Sequence, residues 1–256
     1  MATAYREDLA FIHDAGYGHF SRNAAQVVLE ALRSAGADSG LVVDLGCGSG
    51  ILAEQLVAAG YDVLGIDLSP DLIDLARRRV PGGRFRVASL WAAELPACVG
   101  VTAIGECVNY LFDPGDVETR LASLFRRIAD VLPPGGVFVF DAAGPGRVTG
   151  PGPVKAFAEA EAAEWAVLVA TEEDPDRGIL TRRITSFRRV GELYRRDQEV
   201  HRLRLYPQAM LEDELHRAGF HVHVVHAYGA LPLPQGMAAF LARMPGPTRT
   251  ADSPNE

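Results

Sequence analysis

Val42-Val43-Asp44-Leu45 runs straight into Gly46-Cys47-Gly48-Ser49-Gly50, and Ile51-Leu52-Ala53-Glu54-Gln55-Leu56 follows at helical spacing. A buried strand, a glycine-rich turn and a helix in that order leave few folds open. Glycines at the C-terminal end of a strand let a ligand approach the backbone closely. The next helix turns its free N–H groups and the positive end of its dipole toward that ligand. A second apolar run, Val63-Leu64-Gly65-Ile66, closes on Asp67, seventeen residues past Gly50. An acid at the end of the second strand of a βαβ unit is placed to hold a ribose diol. The expected chain is an α/β protein that binds an adenosine-like ribose.

Glycine spacing selects among ribose ligands. The dinucleotide fingerprint G-x-G-x-x-G/A uses its third small residue for helix–strand packing over a pyrophosphate. Here the third glycine comes one residue early and Ile51 takes the small-residue position, which disfavours an NAD-dependent oxidoreductase. Asp44, two residues before the first glycine, is placed to accept hydrogen bonds from an ammonium. This D-x-G-x-G-x-G form resembles motif I of the class I S-adenosylmethionine-dependent methyltransferases. The resemblance implies a Rossmann-like seven-stranded sheet with helices on both faces. It also implies S-adenosylmethionine as cofactor and S-adenosylhomocysteine as product. On that reading Gly46, Gly48 and Gly50 give backbone access, Asp44 serves the methionine end, and Asp67 holds the diol. Leu68 lies against the adenine face, Ser89 and Leu90 at its edge, and Gly105 at the methionine backbone. Tyr17 closes from the N-terminal side. Many relatives carry an acid near the adenine edge; none stands at 88–90 here.

Strand and helix patterns alternate from residue 41: strand 41–45, helix 50–59, strand 62–66, helix 70–79, strand 84–88, strand 99–105, helix 116–131, strand 137–141. Such alternation gives a right-handed parallel sheet covered by helices. A helix is expected over 21–35, capped by Ser21, after a glycine-broken, loop-like stretch at 13–20. Leu132-Pro133-Pro134-Gly135-Gly136 resembles the family's turn before strand five. A helix over 210–218 and strands at 222–225 and 238–243 resemble the antiparallel hairpin that ends its sheet. Between these halves, 147–206 carries strand-like runs at 164–171, 178–190 and 193–205. They read as an antiparallel β insertion, a lid over substrate or a contact in a homodimer. The expected organisation is a cap helix and cofactor-binding core over 1–146, the insertion over 147–206, the remaining core over 207–244 and a disordered tail over 245–256.

Charge and cysteine content narrow the function. A net charge of −8 works against a nucleic-acid substrate. No run approaches the roughly 18 uninterrupted apolar residues of a membrane span, and no basic-then-apolar leader opens the chain. Cys47, Cys98 and Cys107 read as free thiols in a reducing cytoplasm, without the histidines of a zinc site. Asp113, Asp116 and Asp141 do not fall into a magnesium site of the catechol-enzyme kind, so no metal is expected.

Methyl transfer from a sulfonium is an in-line displacement, for which alignment and exclusion of water are the main tasks. A base is needed only where the acceptor starts protonated. Glu106, following Val101-Thr102-Ala103-Ile104-Gly105, stands at the mouth of the sheet. It is expected to bind the cofactor's ammonium, bind an acceptor amine, act as base, or cap the next turn. Base-methylating enzymes carry Asn or Asp, then Pro-Pro and an aromatic, at this point; Glu106-Cys107-Val108-Asn109 lacks the prolines. In the insertion, Arg195, Asp197, Glu199 and His201 fall on one strand face, making His201 with Glu199 a candidate base and orienter. His19 and Tyr17 are similar candidates. Residues 177–206 hold nine arginines against Glu192, Asp197 and Glu199, which suits an anionic acceptor or pairing with acids of the core. The leading reading is a small-molecule methyltransferase. A protein or peptide methyltransferase and a non-catalytic S-adenosylmethionine or S-adenosylhomocysteine binder are the alternatives.

Overall fold

The computed structural model describes residues 4–113, 117–148, 152–160 and 164–246. The first half alternates as the apolar runs require. Helix α1 (Glu7–Ser34) leads into β1 (Gly40–Leu45), α2 (Ile51–Ala58), β2 (Tyr61–Asp67), α3 (Pro70–Arg79), β3 (Arg84–Val87), β4 (Gly100–Ala103), α4 (Val117–Val131) and β5 (Val137–Ala143). Local chemistry fixes these ends. In α3 the Ser69 hydroxyl accepts from Leu72 N, Pro70 opens the first turn, and Arg77, Arg78 and Arg79 sit at the negative end of the dipole.

The insertion forms a separate four-stranded antiparallel sheet: β6 (Val154–Glu159), β7 (Trp165–Asp174), β8 (Ile179–Val190) and β9 (Leu193–Arg204), in that order. Sequence patterning missed β6, a short strand exposed along most of its length. The chain then returns through α5 (Gln208–Arg217), β10 (His221–Val225), a small hairpin of β11 (Ala227–Tyr228) and β12 (Leu231–Pro232), and β13 (Met237–Arg243). The tail expected to be disordered lies, from residue 247 onward, outside the described residues.

The main sheet runs β10-β13-β5-β4-β1-β2-β3. Strands β1 to β5 pair in parallel, and β13 runs antiparallel between β5 and β10. Strict alternation supplies two buried layers. Val43, Leu45, Phe138 and Phe140 face α4 and α5, while Val42, Val63 and Val139 face α1, α2 and α3. Both faces are thus covered, as a parallel sheet requires.

The expected loop at 13–20 is instead the middle of α1. Gly16 and Gly18 do not break the helix because tertiary contacts use their missing side chains. A Cβ on Gly16 would lie 2.6 Å from the Trp165 ring, and one on Gly18 would lie 2.7 Å from Ile51 Cδ1. Leu9 and Ile12 pack with Trp165, Val167 and Ile184, so the first turns of α1 are held by the insertion sheet. Among the described residues no helix is long and apolar enough to cross a membrane.

Candidate active site

Open α/β sheets bind ligands outside the carboxyl ends of their strands, where the strand order reverses. Here that point lies between β1 and β4, and a cavity of about 420 Å3 opens there. The glycine loop forms one end. Gly46, Gly48 and Gly50 all have positive φ (71°, 54° and 79°), and they do different things. A Cβ on Gly46 would lie 2.3 Å from Cys107 Sγ, whereas one on Gly48 meets nothing within 4 Å. Gly48 thus bares its backbone to the cavity. Gly50 is not among the residues that line the cavity, and it lets α2 approach Ala76 of α3, at 3.1 Å from a would-be Cβ.

Asp67 ends β2 in the cavity wall. Its Oδ2 accepts from Gly48 N and its Oδ1 from Ser69 N, both at 2.9 Å, so it shapes the loop as well as facing the ligand space. Burial raises its pKa, against the pull of these N–H groups. Leu68, Ser89, Leu90, Gly105, Tyr17 and His19 also line the cavity. Asp44 sits one layer beneath the wall. Its Oδ1 accepts from the Thr102 hydroxyl at 2.7 Å, its Oδ2 has no partner, and burial pushes its pKa up to about 7.

Glu106 stands at the far end, buried, with left-handed backbone (φ 59°). Asp141 at the end of β5 holds that turn by accepting from Gly105 N and Glu106 N, and it also takes the Tyr228 hydroxyl at 2.8 Å. The Glu106 side chain does not cap the following turn, Cys107–Asn109. Instead it lies between two guanidinium groups, with Arg182 Nη2 at 2.8 Å and Arg147 Nη2 at 3.0 Å. The Arg147 contact is an ion pair without hydrogen-bond alignment, since Oε1 has no hydrogen-bond donor. Asn109 ties this end to the insertion: its Nδ2 donates to Ala143 O and Arg204 O, and its Oδ1 accepts from Ala143 N.

His201 and Glu199 do meet, at 2.8 Å and buried, but neither lines the cavity. Aromatic rings intervene. His201 packs on Tyr5, Tyr110 and Phe112, all three of which are in the wall. The Tyr5 and Tyr110 hydroxyls share a hydrogen bond of 2.9 Å, and burial raises the pKa of both. His13, also in the wall, has its pKa lowered to about 4 by desolvation, and its Nδ1 has no partner.

Tyr5, His13, Tyr110, Phe112 and Arg147 went unrecognised as site residues in the sequence. Arg147 had one signal, its place just past β5 after Gly144-Pro145-Gly146. Of the nine arginines in residues 177–206, Arg182 alone lines the cavity. Arg188 and Arg195 pair with Glu7 and Asp8 of α1 instead. Among the described residues no three acids, cysteines or histidines gather as metal ligands, and Asp116 lies outside those residues.

A family described as Methyltransferase domain matches residues 42–136, from β1 to the turn before β5. The chain is 27% identical over 198 residues to "Putative methyltransferase YqeM" of Bacillus subtilis (strain 168), covering 74% of this chain and 77% of that one. Other curated relatives match over about two-fifths of their own length. A crystal structure of an S-adenosylmethionine-dependent methyltransferase from Clostridium acetobutylicum ATCC 824 has a TM-score of 0.77 at 20% identity, covering 93% of this chain and 98% of that one. The sugar N-methyltransferase KedS8 from Streptoalloteichus sp ATCC 53650 has a TM-score of 0.75, also at 20% identity, with 96% of each chain covered. At these identities the two structures are likenesses of fold.

Proposed function

We propose that this chain, which belongs to the class I S-adenosylmethionine-dependent methyltransferases, passes a methyl group to an O, N or C atom of a small molecule held beneath its insertion sheet. One observation carries this reading. A single cavity runs from Gly48, Asp67, Ser89 and Leu90 to Glu106, Arg182 and the apolar underside of the insertion, Val167, Val169 and Ile184. Cofactor and acceptor would share one cavity beneath the insertion, which suits a small molecule better than a protein chain.

The residues fit the cofactor. Gly48 leaves open space where a side chain would stand, and Asp44 Oδ2 is a buried acceptor with no partner. Asp67 would hold the ribose diol; Leu68, Ser89 and Leu90 the adenine; and Gly46, Gly48 and Gly105 the methionine part. Asp44 would act from behind the loop, and Tyr17 would close from α1. When bound, S-adenosylmethionine supplies a methyl group on a sulfonium that leaves readily. What remains for the protein is to align the acceptor and keep water out. The apolar underside of the insertion and the rings of Tyr5, Tyr110 and Phe112 do both.

Glu106, fixed by two guanidinium groups, is suited to present charge to the acceptor or the cofactor's ammonium. His201 would act only through Tyr5 and Tyr110. Arg147 and Arg182 together outweigh Glu106, which favours an acceptor bearing a carboxylate or phosphate, gripped as guanidinium groups grip such anions. The outer face of the insertion carries the exposed side chains of Phe157, Leu168 and Val200, which suits a homodimer contact. The direct test is transfer of labelled methyl groups from S-adenosylmethionine into fractionated metabolite pools, beside calorimetry with S-adenosylhomocysteine and NAD. Tight NAD binding with none of S-adenosylhomocysteine would end the reading.

A further inference from the structure

Glu199 was read in the sequence as the orienter of a histidine base. Its carboxylate does meet His201, and it also holds a second segment. Its Oε2 accepts from Tyr5 N and its Oε1 from Arg6 N, each at 2.8 Å, while Oε2 also meets His201 Nε2. Tyr5 and Arg6 immediately precede α1, whose N-cap position has no side-chain cap of its own. An acid from β9 therefore completes a helix start nearly two hundred residues away.

The same short segment is gripped along its length. The Arg6 guanidinium takes both oxygens of Asp197 and the carbonyl of Gln198. Asp8, buried, receives Nε and Nη2 of Arg195. On the opposite side, the Ser69 hydroxyl donates to Tyr5 O at 2.8 Å, and Ser69 lies two residues past Asp67. Tyr5 is thus tied at N–H to the insertion and at C=O to the cofactor end. It sits with φ 51°, a left-handed conformation that is strained in a residue with a side chain. The bonds at its N–H and C=O hold it there. Ala4, Tyr5, Leu9, His13 and Tyr17 line the cavity, so this segment forms part of the wall on the side of Asp67 and Ser69.

We propose that Glu199 is a positioning residue that latches Tyr5 and Arg6 onto the insertion, so that exchange of cofactor requires this latch to open. The inference rests on the cofactor reading above. It joins the two ends of the cavity: a cofactor that orders Asp67–Ser69 favours the closed segment, and the closed segment sets the Tyr5 hydroxyl against Tyr110.

The test is stopped-flow binding of S-adenosylhomocysteine to the full chain. It is followed by tryptophan fluorescence, since Trp91 lines the cavity and Trp165 packs on α1. Glu199→Gln should raise the association and dissociation rates together, about tenfold, with the dissociation constant moving less than threefold. Hydrogen exchange at the Tyr5 and Arg6 amides should quicken in the same variant. Arg6→Gln, a milder change at a half-exposed pair, should shift both rates the same way by a few-fold and covers the case in which Glu199→Gln does not fold. Unchanged exchange rates in a folded variant, or a rise in dissociation alone, would overturn the latch. Failure of the unaltered chain to bind S-adenosylhomocysteine would remove the cofactor reading and the latch with it.

Discussion

Arg182 reaches from the middle of β8 to set its Nη2 2.8 Å from Glu106 Oε2, so one ion pair joins the insertion to the carboxyl end of β4. Arg182 lies in the insertion sheet and Glu106 just past β4 of the main sheet, and both are largely buried, with side chains 19% and 8% exposed. A pair in that setting makes the position of the insertion over the core depend on charge as well as on apolar packing.

Removing one partner should therefore cost more than a surface pair would. Arg182→Met leaves Glu106 with Arg147 alone, and the expected loss is about 3 kcal/mol, at the lower end for broken buried pairs. Glu106→Gln with Arg182→Met should recover much of it, because no buried carboxylate is then short of a partner. Urea unfolding of the two variants reads this. Equal stabilities in single and double variants would mean that the pair is solvated.

Asp67→Ala removes the acceptor of Gly48 N and Ser69 N as well as the proposed diol contact. S-adenosylhomocysteine affinity should fall by about 1–3 kcal/mol, the usual result of leaving polar partners unpaired. Calorimetry at fixed pH measures it, and an unchanged affinity would place the ribose elsewhere.

Two loop glycines should respond differently to the same change. Gly46→Ala drives a Cβ into Cys107 Sγ and should unfold the loop, lowering thermal stability. Gly48→Ala meets no atom, so it carries only the strain of a positive φ, about 1 kcal/mol, and places its methyl group in the cavity. It should stay folded and lose cofactor affinity at least tenfold. Melting curves beside binding curves separate the two outcomes.

The part of the site legible in the sequence was the part built from neighbours. Gly46, Gly48, Asp67, Leu68, Ser89 and Leu90 are set by strand ends and turns within one βαβ pattern. The same reading placed Gly50 and Asp44 at the cavity, where one packs helices together and the other lies a layer below. Distance in sequence hid the rest. Tyr5 becomes a wall residue because Glu199 and Ser69 hold it, and neither is near it in the chain. Gly16 looked like a helix breaker because Trp165, which fills its missing side chain, lies far downstream. The insertion was recognised by its alternation, but only the register of β7, β8 and β9 could say that Arg182 faces inward while Arg188 and Arg195 turn to α1.

The outer face of that insertion carries Phe157 beside Leu168 across β6 and β7, with exposures of 59% and 45%. If it joins two copies, Phe157→Glu with Leu168→Glu should move the chain from dimer to monomer at micromolar concentration. Neither change reaches the cavity. Sedimentation velocity decides, and a chain that is monomeric before the change would leave this face without that role.

Stability should vary with pH in a way set by three buried groups. Burial pushes Asp44 and Asp141 up to about 7, while the unfolded chain releases those protons near pH 4. Between these values the folded state holds protons that the unfolded state has lost, so stability falls as pH rises through the window and levels off above it. His13 works in reverse. Its folded pKa, lowered to about 4, lies below the unfolded value of about 6.5, so its contribution falls as pH drops from 6.5 to 4. From pH 8 to 6 the two acids act almost unopposed, and urea midpoints should rise. Below pH 6 the histidine offsets one of them and the rise should slow. Asp44→Asn isolates the cause: Oδ2 has no partner to lose, and the Thr102 hydroxyl keeps an acceptor at Oδ1. The variant should gain stability at pH 6, gain more at pH 8, and show roughly half the slope. Asp141→Asn should flatten the slope too but lose stability throughout, since Gly105 N, Glu106 N and the Tyr228 hydroxyl all need its oxygens. Midpoints that climb from pH 6 to 8 in the unaltered chain would show that both acids are ionised when folded, with a compensating charge beside them.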